Sequence, residues 1–516
     1  MNDQHMLNDR GHDPTADGFR RRLGLLDLTM IGFGSIFGSG WLFAAAHVGD
    51  IAGPASLLSW VIGGVAILLI GLVYCELGAA LPLAGSVVRY PERSHGPAAG
   101  FLMGVITTIA FSSLISIEIV AARQYAGAWI PGLTRDAAGD PTLFGWTVQA
   151  LVLGALYLVN RRGIATFAFI NNIVTLFKFC VPALVIILLL AHLTQANFTV
   201  HGFMPHGADG VQVAVSTGGI IFAYLGLTPI LSVAGEVRQP QRTIPIALLL
   251  SISLSTVVYV LLQAAFIGSL PARFLDHGWT EVAARLPLPF HDIALALGLG
   301  TLAFLVVVDA VLSPTGTGNI YLSALPRVIY AWAQAGTLPT SFREVKPGTG
   351  VPQRGLDLAF GLSLFWTLPF PSWEALITVV SSSLMLSYAL APTSAAALRR
   401  TEPDLPRPFR LRGFAVLAPC AFAIATLIVL WTGWTTLAWL LSVLVLLQLG
   451  LMLWRGRRKD WRHTGWMFAY FAGLALVSWS GPFDGHHILD GAMDDLAGIA
   501  LALIIYVWAA RSGKTA

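Results

Sequence analysis

Residues 31–41 read IGFGSIFGSGW, from Ile31 to Trp41, with four glycines and two serines in eleven positions. They sit inside an apolar run over residues 24–46, long enough to cross a bilayer as a helix. Glycine weakens a helix and frees its backbone, so the segment is expected to unwind there. Unwinding at that depth exposes N–H and C=O groups, which is tolerable only where they line a cavity. One glycine-rich helix by itself reads first as a surface for close helix packing. A second break distinguishes the two readings. GGIIFAYLGLTPI, Gly218 to Ile230, carries Gly218, Gly219, Gly226 and a Thr228-Pro229 pair within another apolar run.

Around these breaks the chain is almost entirely apolar. Of its 516 residues 56% are hydrophobic and 11% charged, against roughly 25% charged in ordinary soluble proteins. Fourteen spans are predicted, over 24–46, 53–82, 98–129, 143–159, 170–192, 212–236, 244–270, 292–325, 355–371, 374–398, 412–433, 435–455, 465–481 and 495–510. A barrel would need short polar/apolar alternation and an open sheet would strand its edges, so the fold class is an all-α polytopic membrane protein. The two interrupted spans start five helices apart. Interrupted helices at matching positions in two halves predict a 5+5 inverted-repeat core, spans 1–10, with the solute site at mid-membrane and four peripheral C-terminal helices. The domains are then a cytoplasmic tail at 1–23, a transport core at 24–398, and peripheral helices with a short tail at 399–516. With the N-terminus inside, the inner segments hold 26 of the 31 Lys and Arg residues. This bias predicts that both termini are cytoplasmic, in a multi-pass protein of the plasma (inner) membrane. The net charge of +4 follows from topology, and no nucleic-acid partner is expected.

Five ordered segments carry a family resemblance: GFGSIFGSGWLF in span 1, YCELGAALPLAGS ending span 2, SIEIVAARQYAGAW in span 3, FAYLGLTPILSVAGEVRQPQRTIP through span 6, and DAVLSPTGTGNIYLSALPRVIYAWAQAGTLP in span 8. Over roughly residues 20–400 the chain resembles the amino acid, polyamine and organocation permeases, whose core is leucine-transporter-like. It is most similar to the proton-coupled bacterial permeases that include aspartate symporters. The resemblance implies that Gly38, Ser39 and Gly40 hold the substrate carboxylate. It also implies that carbonyls of Ile36, Phe222 and Leu225 face the ammonium group, with Ala223 and Gly226 completing the site. The physics agrees, because N–H groups opening the second half of helix 1 favour an anion. Phe222 stands where the family places an aromatic gate, and it reads either as that gate or as packing. Many members carry an acidic residue where this chain has Thr228. With no acidic residue in either break, a neutral or acidic amino acid is favoured over a cationic one.

Ionisable residues inside spans are functional candidates by default. Lys178, in NNIVTLFKF of span 5, matches the lysine that in proton-coupled relatives stands where sodium binds between helices 1 and 8, and proton coupling is assigned to it. Its alternative role is a fixed cation holding helix 1. Asp309, Ser313 and Thr317 share one stripe of span 8 by their i, i+4, i+8 spacing and could face Lys178, with Asp309 as counterion. Ser313 and Pro314 could equally mark a kink. In span 3, Ser112, Ser116 and Arg123 lie near one face, and the two serines form a second tier of polar candidates. Glu118 and Arg123 are about 140° apart around the helix, so each needs a partner elsewhere. Glu76 and Glu236, near cytoplasmic helix ends beside Arg89, Arg93, Arg238 and Arg242, are expected to form gate or loop ion pairs with a solvated structural role.

No enzyme constellation, metal-ligand spacing or phosphate-binding glycine loop stands out, so no catalytic residue, metal or cofactor is expected. The three cysteines, Cys75, Cys180 and Cys420, are scattered in apolar segments. The function expected is secondary active uptake of an amino acid by proton symport with alternating access, in a lipid bilayer. Rival readings are an amino acid exchanger on the same fold, or a nontransporting sensor or channel. Oligomeric state is open.

Overall fold

The computed structural model describes residues 21–135, 139–455 and 461–514, without the side chains of 164–166, 452–455 and 461. Residues 1–20 of the expected cytoplasmic tail, and the basic residues 457–459 expected in an inner loop, lie outside the described residues. In chain order the helices are α1 (Leu25–Ile36), α2 (Gly40–Ala52), α3 (Ser56–Ala80), α4 (Ser86–His95), α5 (Pro97–Ala126), α6 (Leu143–Asn160) and α7 (Ile164–Leu190). Next come α8 (Gly207–Ser216), α9 (Ile220–Tyr224), α10 (Leu227–Ser232), α11 (Pro240–Ser269), α12 (Val282–Arg285), α13 (Pro289–Ala296) and α14 (Gly300–Gln334). The last six are α15 (Gln353–Trp366), α16 (Trp373–Thr401), α17 (Phe414–Leu430), α18 (Trp434–Arg455), α19 (Trp461–Ser480) and α20 (Gly491–Arg511).

Among the described residues, nine helical stretches are long and apolar enough to cross a membrane, or ten if the bent α8–α10 segment is one span. The chain is a multi-pass membrane protein. Helix starts are set by local chemistry. The Thr142, Ser372 and Asp490 side chains accept the Gly145, Ala375 and Met493 N–H groups at the starts of α6, α16 and α20. α5 begins with Pro97, whose missing N–H costs nothing at a first helical position.

The predicted eighth span, 292–325, differs from the structure. A separate α13 ends before Gly298, whose φ of 75° is left-handed and interrupts the helix, and α14 then runs on to Gln334. The predicted ninth span closes earlier, at Trp366. In the core, α14 packs against α5 and α7, α11 against α3 and α1, and α16 against α5 and α17. The C-terminal helices are not detached from this core. The Lys514 N–H donates to Ser94 O, and His95 Nε2 lies 3.0 Å from Ala509 O, so the end of α20 is tied to α4.

Candidate functional site

α1 ends at Ile36 and α2 begins at Gly40, leaving Phe37, Gly38 and Ser39 outside regular helix. α9 ends at Tyr224 and α10 begins at Leu227, leaving Leu225 and Gly226. Phe222 and Ala223, expected in an unwound stretch, therefore lie in the single helical turn of α9; a further interruption falls at Thr217–Gly219, where Gly219 has φ 102°. The two breaks touch. A Cβ on Gly40 would stand 2.7 Å from Ala223 Cα, and one on Gly226 would stand 2.6 Å from Ile36 N. Ser35 Oγ donates to Gly226 O at 2.8 Å. The glycines thus serve both readings at once: they allow the helices to unwind and allow the two breaks to meet backbone to backbone.

Side chains from five other helices reach the backbone groups that unwinding frees. From α7, Lys178 Nζ donates to Gly34 O at 2.7 Å, Phe37 O at 2.9 Å and Thr317 Oγ1 at 2.5 Å. An ammonium has three donors, and all three are engaged. Thr317 Oγ1 in turn donates to Gly34 O at 2.8 Å, so α7 and α14 grip the end of α1 together. From α5, a Glu118 oxygen accepts the Ser39 N–H at 2.8 Å. From α11, Tyr259 Oη lies 2.8 Å from both Ile36 O and Ala223 O. From α16, Tyr388 Oη accepts the N–H groups of Gly226 and Leu227 at 3.1 and 3.2 Å, and Trp373 Nε1 donates to Ser39 Oγ at 3.0 Å.

Of the other sequence candidates, Asp309 is fully buried, but neither carboxylate oxygen has a hydrogen-bond partner among the described residues, and it makes no ion pair with Lys178 within 4.0 Å. Ser313 Oγ is likewise unpartnered. Ser112 and Ser116 are turned away from the breaks toward α15: Ser112 Oγ accepts from Trp366 Nε1 at 2.8 Å, and Ser116 Oγ donates to Ser363 O at 2.6 Å. Arg123 donates to the carbonyls of Leu133, Gly139 and Pro371 and not to Glu118, as their angular separation requires.

The solvated ion pairs expected for Glu76 and Glu236 are corrected by burial, since each is only 2% exposed. Glu236 pairs with the buried Arg327 of α14, and Glu76 with Arg399 at 2.5 Å and Arg407 at 3.5 Å. Arg89 and Arg93 pair instead with Glu92 and Glu402. For these two carboxylates the partner is set by tertiary proximity, because leaving a buried charge unpaired is costly.

At the α2 end a cavity of about 430 Å³ is lined by Phe43, His47, Asp50, Gln124, Trp373 and Glu374. Its floor is Trp373, which stacks on Phe43 at 4.9 Å and meets Phe222 edge-on at 5.6 Å. At the α1 end the Arg327–Glu236 pair lies near a parallel bridge between Leu23 and Val237. Trp373, Tyr259 and Tyr388 escaped the sequence reading, which followed charged and small residues. The available signal was an aromatic residue with a polar tip inside an apolar span, since a buried Tyr or Trp needs a partner for its O–H or N–H.

The sequence has close relatives among known proteins. An aspartate-proton symporter of Bacillus subtilis (strain 168) is 47% identical over 504 residues, covering 96% of this chain and 97% of its own. A glutamate/serine transporter of the same organism is 36% identical, covering 96% and 94%. A branched-chain amino acid permease, also from that organism, is 28% identical, covering 83% and 92%. The amino acid permease family profile matches residues 23–447, a stretch that holds both breaks, Lys178 and the side chains gripping them, and the chain belongs to the amino acid permease family.

Proposed function

We propose that the protein takes up an acidic or small neutral amino acid together with a proton, by alternating access across the plasma membrane. The observation that carries this reading is the Lys178 ammonium, bound to Gly34 O, Phe37 O and Thr317 Oγ1. A fixed cation at that junction does what a bound metal ion would do, and unlike a metal it can release a proton. Loss of the proton removes one donor and the charge, which loosens α1 from α7 and α14. Similarity to an aspartate-proton symporter and a glutamate/serine transporter supports both the proton and the substrate class.

The substrate carboxylate takes the N–H groups opening α2, where Glu118 now holds Ser39, and the ammonium takes the carbonyls that Tyr259 now engages. Glu118 and the substrate therefore compete for one anion site. The core is a 5+5 inverted repeat over residues 24–398, with 399–516 peripheral and both termini cytoplasmic. On that topology the cavity above Trp373 opens outward and the Arg327–Glu236 pair is the inner gate.

The test is uptake of a panel of labelled amino acids into proteoliposomes, varying pH gradient, sodium and internal substrate separately. Accumulation driven by external acid, without sodium and without internal substrate, is expected. Uptake that requires internal substrate and ignores the pH gradient would overturn the reading in favour of an exchanger.

A further inference from the structure

The wall of the cavity above Trp373 carries a group that changes charge near neutral pH and joins α2 to α16. His47 of α2 places its Nε2 3.2 Å from Oε1 of Glu374, in the first turn of α16. Its ring lies nearly parallel to the indole of Trp373, with centroids 5.8 Å and planes 18° apart. Trp373 in turn donates to Ser39 Oγ at 3.0 Å and meets Phe222 edge-on. One side chain thus touches both the indole over the break and the carboxylate beside that indole. Asp50, three residues further along α2, lines the same cavity and accepts the Ala283 N–H at 2.8 Å. Carboxylates on α16 and on α2 itself therefore flank the imidazole. Charged groups on the other elements at this end of α2 are engaged elsewhere or open to solvent. Glu281 bonds Arg285 beside α12, His291 and Asp292 of α13 bond each other, and His206 before α8 bonds Ile51 O. Arg123 of α5 donates to carbonyls, and Asp209 of α8 is exposed.

An imidazole takes up a proton between about pH 5 and 8. Neutral, His47 offers Glu374 an ordinary hydrogen bond; protonated, it offers a charge-assisted one, to which Asp50 adds attraction. Forming this contact therefore favours proton uptake, so it strengthens as pH falls through the imidazole range and weakens as pH rises. The two side chains are 29% and 65% exposed, so the pair follows the pH of the compartment that the cavity faces. We propose that His47 is an acid-responsive positioning residue: its imidazolium latches α2 to α16 and holds the Trp373 indole over the break. The side it senses rests on the topology of the uptake reading above, on which the cavity opens outward. External acid then favours the covered site. The latch sets how long the site stays covered and leaves coupling to Lys178.

The experiment follows a membrane-impermeant thiol reagent labelling Ala46→Cys, a cavity-wall position only 1% exposed. It uses sealed right-side-out vesicles with Cys75, Cys180 and Cys420 replaced by alanine, at about pH 5.5 and about pH 8, the two ends of the imidazole range. Thiol reactivity itself falls in acid, so each rate is divided by that of the same reporter carrying His47→Gln. The ratio is expected near one in base and about two- to fivefold lower in acid, the span that an exposed ion pair supplies. His47→Arg, a cation at both pH values, should hold the low ratio throughout, and Glu374→Gln should hold it near one. A ratio that does not change with pH overturns the latch, as does His47→Arg labelling as fast as His47→Gln. Labelling seen only in inside-out vesicles would instead overturn the topology of the uptake reading, and with it the external side of the latch.

Discussion

Replacing Lys178 by methionine keeps most of the side chain's length and packing while removing three hydrogen-bond donors and a charge. Two of the lost bonds end on main-chain carbonyls, at 2.7 Å on Gly34 and 2.9 Å on Phe37. A bond from a charged donor contributes about 1.5–3 kcal/mol, so the two together hold α1 by roughly 3–6 kcal/mol. Thr317 Oγ1 remains 2.8 Å from Gly34 O and offsets part of this. A net loosening of about 3 kcal/mol shifts the balance between gripped and released α1 by about a hundredfold. Lys178→Met in proteoliposomes should therefore lose accumulation driven by an imposed pH gradient and lose the acceleration of uptake by external acid. Counterflow against preloaded substrate should persist, because it needs no proton. Normal pH-driven accumulation by Lys178→Met, with an unchanged pH–rate profile, would refute the assignment of proton coupling to this lysine.

Three further outcomes follow from contacts at the site and its gates. Gly40→Ala places a methyl group 2.7 Å from the Ala223 Cα, so the breaks must separate; uptake should be abolished, stability should fall by about 1–3 kcal/mol, and Ala223→Gly should restore only part of the loss. Glu236→Gln leaves Arg327 buried without its counterion, which should cost about 3–5 kcal/mol; thermal unfolding should drop and labelling of a Leu23→Cys reporter should rise, and unchanged labelling would show that the pair is no gate. Trp373→Phe removes the N–H donated to Ser39 Oγ while keeping a ring over the site. A loss near 1 kcal/mol should raise KM roughly fivefold, and an unaltered KM would show that the indole does not close over substrate.

The breaks were legible in the sequence because clustered Gly, Ser and Pro act locally, on the backbone that carries them. Lys178 was legible because a charge inside an apolar run is expensive wherever it points. What could not be read was which distant side chain meets a given backbone group. Ile36 and Tyr259 are 223 positions apart, and Ser39 and Glu118 are 79 apart. The acidic residues show the same limit. Sequence proximity suggested Arg238 or Arg242 for Glu236, whereas its partner is Arg327, 91 positions away. Periodicity correctly grouped Ser112 with Ser116 on one face of α5, but a face does not name its neighbour, and here that neighbour is α15.

The side chains gripping the breaks bear on how substrate binding is balanced. Bare N–H and C=O groups at mid-membrane would each be costly, since no lipid group can satisfy them. At the proposed site, Glu118 holds the Ser39 N–H that a substrate carboxylate would take, and Tyr259 lies on the Ile36 and Ala223 carbonyls that an ammonium would take. Substrate binding is then an exchange of hydrogen bonds, which keeps its net free energy modest and its release possible. The exchange is also charge-sensitive at one point. A substrate carboxylate arriving at Ser39 meets the Glu118 carboxylate, and two anions at the same N–H repel. Glu118 must move aside or take a proton before the substrate seats, which gives protonation a route into the binding step separate from Lys178. Glu118→Gln separates the two routes: it retains an acceptor for the Ser39 N–H and removes the repulsion. Binding should then lose its preference for acid, while pH-driven accumulation through Lys178 survives.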